Sequence, residues 1–148
     1  MTTWNGMRNK LEKDYLAECL RGHIQYYATT YQESHDCEGR AAIRLDGKEI
    51  LKGNFFNVCV NGASPRADET ALERGAFDQR SFYDAFHEFD NQSIEDSLMS
   101  ENLLVRIFGI LDRRVGKRRL IAMKDRILEE PETFQVFYAI RARAENLL

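Results

Sequence analysis

The Asp-Gly pair at 46–47 constrains this chain more than any other feature. It stands between Arg44-Leu45 and Lys48-Glu49-Ile50. A two-residue Asp-Gly loop joins antiparallel strands well, because both turn residues tolerate positive φ. A turn at this point sets Leu45 against Lys48, Arg44 against Glu49 and Ile43 against Ile50. Side chains alternate between the two faces of a strand. Ala41, Ile43, Leu45 and Ile50 therefore share one face, and Arg40, Ala42, Arg44, Glu49 and Leu51 share the other.

The stretch before this hairpin, Ile24 to Tyr31, is rich in Tyr and Thr, as strands are. A polar loop over 33–38 and Gly39 follow it. Pairing Tyr31 with Arg40 puts Ala28 beside Ile43, Tyr26 beside Leu45 and Tyr27 beside Arg44. A slip of one residue would mix apolar and polar faces. The expected result is a three-stranded meander. One face carries Ile24, Tyr26, Ala28, Ile43, Leu45 and Ile50, and the other Tyr27, Thr29, Tyr31, Arg40 and Arg44.

Helical patterns lie on both sides. Residues 3–20 place Trp4, Met7, Leu11 and Tyr15 on one stripe, with Thr3 as N-cap and Gly22 ending the segment. This helix is expected to cover the apolar sheet face, with Trp4 at the core edge. Asn54 to Asn61 alternates and offers a fourth strand. Ser81 to Asp90 reads as a helix packing Phe82, Phe86 and Phe89, and Ser93 with Asp96 caps a short helix over 94–99. Apolar spacing then predicts a helix from Leu103 to Arg114, a bend at Gly116, a helix through Leu120 and Leu128, and a last helix with Pro131 in its first turn. The class expected is α+β. It comprises a three- or four-stranded antiparallel sheet with an N-terminal helix and a helical C-terminal half, in a single domain over 1–148.

The chain's 148 residues, 43% apolar and 30% charged, suit one domain with a real core rather than a disordered chain. The net charge of −3 gives no global argument for nucleic acid or membrane. The charge is uneven, however: residues 1–100 carry 11 basic and 17 acidic side chains, and residues 101–148 carry 10 and 7. Cys19, Cys37 and Cys59 form no close pair, which fits reduced thiols in a cytoplasm. The opening Met1-Thr2-Thr3-Trp4 lacks a charged-then-apolar leader. No apolar run approaches the roughly 20 residues of a membrane helix.

Four places can carry chemistry. Tyr27, Tyr31, Arg40 and Arg44 on the polar sheet face suit a phosphate or carboxylate, because a guanidinium fork matches both. The plain alternative is a cross-strand pair between Arg44 and Glu49. Arg113, Arg114, Lys117, Arg118 and Arg119 make a local positive patch that attracts nucleic acid or acidic partners. Cations near helix ends also simply oppose the helix dipole. The loop His35-Asp36-Cys37-Glu38 lines up metal-binding residue types but lacks the spaced second pair of a zinc site, so no metal is assigned. His87, Glu88 and Asp90, or Cys37 with His35, supply residue types for an enzyme, without a phosphate loop or nucleophile elbow.

Trp4 with the leucine-containing first helix, the segment from Gly39 to Ile50, and Leu111 to Leu120 (LDRRVGKRRL) resemble a family of small bacterial proteins of uncharacterised function and about this length. The resemblance implies a bacterial, cytoplasmic, single-domain protein and brings no activity, cofactor or site residue with it. The expectation is a noncatalytic binding or interaction module using the Arg/Tyr face, with a protein or small anionic ligand as partner. The alternatives are a nucleic-acid-associated protein using the 113–119 patch, or a small-molecule enzyme.

Overall fold

A computed structural model describes residues 3–28, 40–54 and 67–148. Three strands, β1 (Ile24–Ala28), β2 (Ala41–Leu45) and β3 (Lys48–Lys52), form an antiparallel sheet in the order β1-β2-β3. Before the sheet lie α1 (Trp4–Asn9), a π-helical turn (Lys10–Tyr15) and a 3-10 turn (Glu18–Leu20). After it come α2 (Glu69–Glu73), α3 (Gln79–Asp90), α4 (Ile94–Leu98), α5 (Leu103–Ile110), α6 (Lys117–Met123), a 3-10 turn (Lys124–Glu129) and α7 (Glu132–Ala144). The fold is α+β with a helical C-terminal half. None of its described helices is long and apolar enough to cross a membrane.

The hairpin forms at the Asp-Gly turn, with φ of 51° at Asp46 and 85° at Gly47. Leu45 faces Lys48 and Arg44 faces Glu49 as expected. Beyond that pair the ladder slips. Ile43 faces Leu51, not Ile50, because β3 carries one extra residue opposite Ile43 and Arg44. A bulge of this kind reverses the faces along the rest of the strand. Leu51 is consequently buried and Ile50 only half-buried.

Strand β1 keeps the expected parity but is shifted by two residues: Tyr26 faces Ile43, and Ala28 faces Ala41. Two interactions outside the ladder hold that register. Asp46 donates its amide to His23 O at 2.8 Å, and Arg40, just before β2, bridges to Asp78. Tyr31, the 33–38 loop and the fourth strand expected past Asn54 lie outside the described residues.

The N-terminal segment is not one helix. Thr3 caps α1 by accepting from Gly6 N at 3.0 Å, but Leu16 is extended and bridges to Asp112. Ala17 N donates to Leu111 O and Arg113 N donates to Tyr15 O. Long-range pairing therefore breaks the amphipathic run. The π-helical turn guards the edge of β1, where Glu12 accepts from Tyr26 N at 2.8 Å. The apolar face itself is covered by α3 and α5: Tyr26 meets Phe82 and Phe108 edge-on, at 6.1 and 5.6 Å between ring centres. Trp4 flanks this cluster at 6.1 Å from Phe82. Phe82, Phe86 and Phe89 are all buried, and one apolar core runs from Met7 to Ala142.

The helix limits follow their caps. Asp78 and Ser81 cap α3 reciprocally. Asn102 opens α5, which stops at Ile110 instead of reaching Arg114. Gly116 opens α6, and Pro131 sits just before α7.

Candidate functional site

The Arg/Tyr face assembles around Glu49. Arg40 and Glu49 form a bidentate pair, Nη1–Oε1 at 2.8 Å and Nη2–Oε2 at 2.7 Å. Arg44 Nη2 donates to the same Oε2 at 3.2 Å. The Arg44 guanidinium lies 3.8 Å from the centre of the Tyr27 ring, and that of Arg40 lies 5.5 Å from it. Hydrogen bonding from Arg40, then from Arg44, holds the Glu49 carboxyl below its ordinary range. Tyr27, Arg40 and Arg44 are thus brought together, but the forks that would take an external anion already hold a carboxylate. Tyr31 lies outside the described residues.

The five cations of residues 113–119 do not share one surface. Arg114 is folded onto the buried Asp112, donating from Nε at 3.0 Å and Nη2 at 2.9 Å, and its guanidinium lies 5.1 Å from the Tyr15 ring centre. Arg119 donates to Glu95 at 3.1 Å. Arg118 is exposed. Arg113 donates its Nε to Asp14 O at 2.8 Å, and it lines a cleft with Lys117.

This cleft, about 470 Å³, is where the N-terminal arm meets the bend before α6 and the end of α7. Arg21, Arg113, Lys117 and Arg141 line it together with Glu18 and Glu145. Arg141 is its fixed wall. Buried, it donates from Nη1 to Ile110 O at 2.9 Å and Asp112 O at 2.7 Å, and from Nη2 to Val115 O. Glu145 is already engaged: Arg141 Nε donates to it at 3.3 Å and Cys19 Sγ at 2.9 Å. The Cys19 bond and then Arg141 keep its carboxyl below the ordinary range. Burial first, and that same bond second, push the Cys19 thiol up to about 11. Among the described residues, Arg113 and Lys117 have no carboxylate within ion-pair distance. The reach of Arg21 to Glu18 is long, at 4.0 Å.

Arg21 and Arg141 were not singled out from sequence. The available signal was an arginine on the buried stripe of the last helix, in step with Phe134, Phe137 and Tyr138. A charge there needs buried partners, and the three carbonyls of the 110–115 bend supply them.

The enzyme residues go separate ways. Glu88 accepts from Gln92 and Ser100, while Asp90 accepts from Tyr15 Oη and lies 3.6 Å from Lys10 Nζ. Burial, followed by that bond to Asp90, pushes the Tyr15 hydroxyl up to about 12. Among the described residues no group of three or more His, Cys, Asp or Glu can hold a metal ion. His35, Asp36, Cys37 and Glu38 lie outside them.

No curated protein and no solved structure matches the chain. The SF0329 protein family matches residues 3–61 and 57–142. With the motifs of the first helix, the hairpin and the 111–120 bend all inside those limits, the chain belongs to the SF0329 protein family.

Proposed function

We propose that this protein is a noncatalytic binding module of a bacterial cytoplasm that takes a small anionic ligand in the cleft between Arg21, Arg113, Lys117 and Arg141. The observation carrying this reading is that Arg113 and Lys117 line one concavity with no carboxylate within ion-pair distance among the described residues. With Nε committed to Asp14 O, both terminal nitrogens of Arg113 remain to fork a phosphate or carboxylate. Arg141 fixes the wall, and four cations face two carboxylates, of which Glu145 is spent on Arg141 and Cys19. The cleft's size lies within the roughly 300–1,000 Å³ common for small-ligand sites. The compartment is supported by the free thiol of Cys19 and the odd cysteine count. The Arg/Tyr face is a weaker place for the same chemistry, because an incoming anion must displace Glu49.

Titration calorimetry with inorganic phosphate, pyrophosphate and citrate tests this reading. At least one should bind, with affinity falling about tenfold in Arg113→Ala and again in Lys117→Ala. That corresponds to the ~1.5 kcal/mol of a hydrogen bond to a charged group. Arg40→Ala with Arg44→Ala should leave binding intact. Failure of all three anions to bind overturns the reading. Loss of binding only in the Arg40/Arg44 variant moves the site to the sheet.

A further inference from the structure

A second concavity lies on a different side of α6 and is chemically unlike the first. It is a groove of about 400 Å³ between the end of α4, the α6 helix with the 3-10 turn after it, and α7. Its apolar lining includes Leu98, Met99, Met123 and Ile127 over the buried Phe134. Met99 is 84% exposed, and the run from α6 into the 3-10 turn, which supplies Met123 and Ile127, exposes Ile121 (56%) and Leu128 (84%) outside the groove's lining. Large apolar side chains left in water this way, beside a groove, mark a surface that another molecule covers. Unbranched methionines adapt their shape to a partner.

The rim is cationic. Arg106, Arg119 and Arg126 line the groove with one carboxylate, Glu130. Glu130 pairs with Arg106, whose guanidinium lies 4.7 Å from the Phe134 ring centre. The Arg106 Nε is buried without a hydrogen-bond partner. Arg119 reaches out to the exposed Glu95, and Arg126 has no carboxylate partner among the described residues. An apolar floor bordered by three arginines and one carboxylate, with Arg126 unpaired among the described residues, complements a segment with apolar anchors flanked by carboxylates. Amphipathic segments dock in grooves in this way, burying the anchors while rim charges set orientation and partner choice.

We infer that the groove between α4, α6 and α7 docks an acidic, amphipathic segment of a partner protein, with Met99, Met123 and Ile127 gripping its apolar side chains and Arg119 and Arg126 meeting its carboxylates. This surface is separate from the anion cleft, and neither depends on the other being correct.

Selection of a random twelve-residue peptide library displayed on phage against the full chain tests the inference. Enriched sequences should combine Leu, Ile, Phe or Met with Asp or Glu. A synthetic copy of the leading sequence should bind at least tenfold more weakly to Met99→Asp and to Arg126→Glu, and more weakly as salt is raised. Both substitutions are at exposed positions, and circular dichroism confirms that the variants fold. Absence of enrichment, enrichment of basic or uncharged sequences, or binding indifferent to both substitutions overturns the inference. A dimer seen by light scattering and dissolved by Met99→Asp also overturns it, because the groove is then filled by a second copy.

Discussion

At Glu49 a single carboxylate holds two guanidinium groups, and that fixes what the polar sheet face does under acid. Its carboxyl lies below the ordinary range because the arginines favour the charged form. A carboxyl lowered in the folded state contributes stability at pH values above its unfolded pKa, about 4.3. That contribution is lost as pH falls through the folded value. Glu49→Gln should therefore lower stability by about 1 kcal/mol at pH 7, the size of a good cross-strand pair. The two proteins should converge in acid, once pH falls below that lowered folded value. Urea midpoints at neutral and acid pH measure this; a constant difference would show that the arginines do not act through charge. The pairing of Arg44 with Glu49 was legible from the Asp-Gly turn alone. The role of Arg40 was not, because its fork reaches Glu49 from one residue before β2 begins.

Elements were legible where the signal was local and failed where distant partners decided. The β2–β3 turn, the Ser93 cap of α4 and the phenylalanine face of α3 followed from short patterns. The bulge at Ile50 did not, since a period of two cannot reveal one extra residue. The break at Leu16 did not either, because the amphipathic stripe runs on through it while backbone pairing to residues 111–113 overrides it. Two glycines separate local from long-range demand in the same way. Gly47 has φ of 85° with open space where a Cβ would sit, so Gly47→Ala should cost only the conformational penalty, about 1 kcal/mol. Gly75 has φ of 67°, and a Cβ there would lie 2.7 Å from Asn54 N and 2.8 Å from Lys52 O. Those are backbone atoms at the exit of β3, and Asn54 N donates to Gly75 O at 2.8 Å. Gly75→Ala should cost at least twice as much, roughly 2–4 kcal/mol, by adding steric overlap to the backbone penalty. Urea unfolding of the two variants side by side decides this, and equal losses would mean that the Asn54 contact gives way freely.

Across the whole molecule, the two ends of the chain are tied at one place. The backbone of residues 15–17 pairs with that of 111–113, and Arg141 of the last helix fastens the same bend through three carbonyls. Asp112 is the knot. Fully buried, it accepts from Arg114 N at 2.7 Å and takes the Arg114 fork. The cleft proposed to take an anion is made of these same three parts, so its shape depends on a residue that does not line it. Asp112→Ala leaves an arginine fork and a backbone donor unmatched, which should lower global stability by about 2–3 kcal/mol. Native-state hydrogen exchange should locate the damage. In the unaltered protein the amides of Ala17 and Arg113, both bonded across the tie, should exchange only with global unfolding, alongside those of α5. In Asp112→Ala they should exchange well before α5, and pyrophosphate affinity should fall together with their protection. If the two amides already exchange early in the unaltered protein, the tie is a surface contact, and the cleft must then be held by Arg141 and α7 alone.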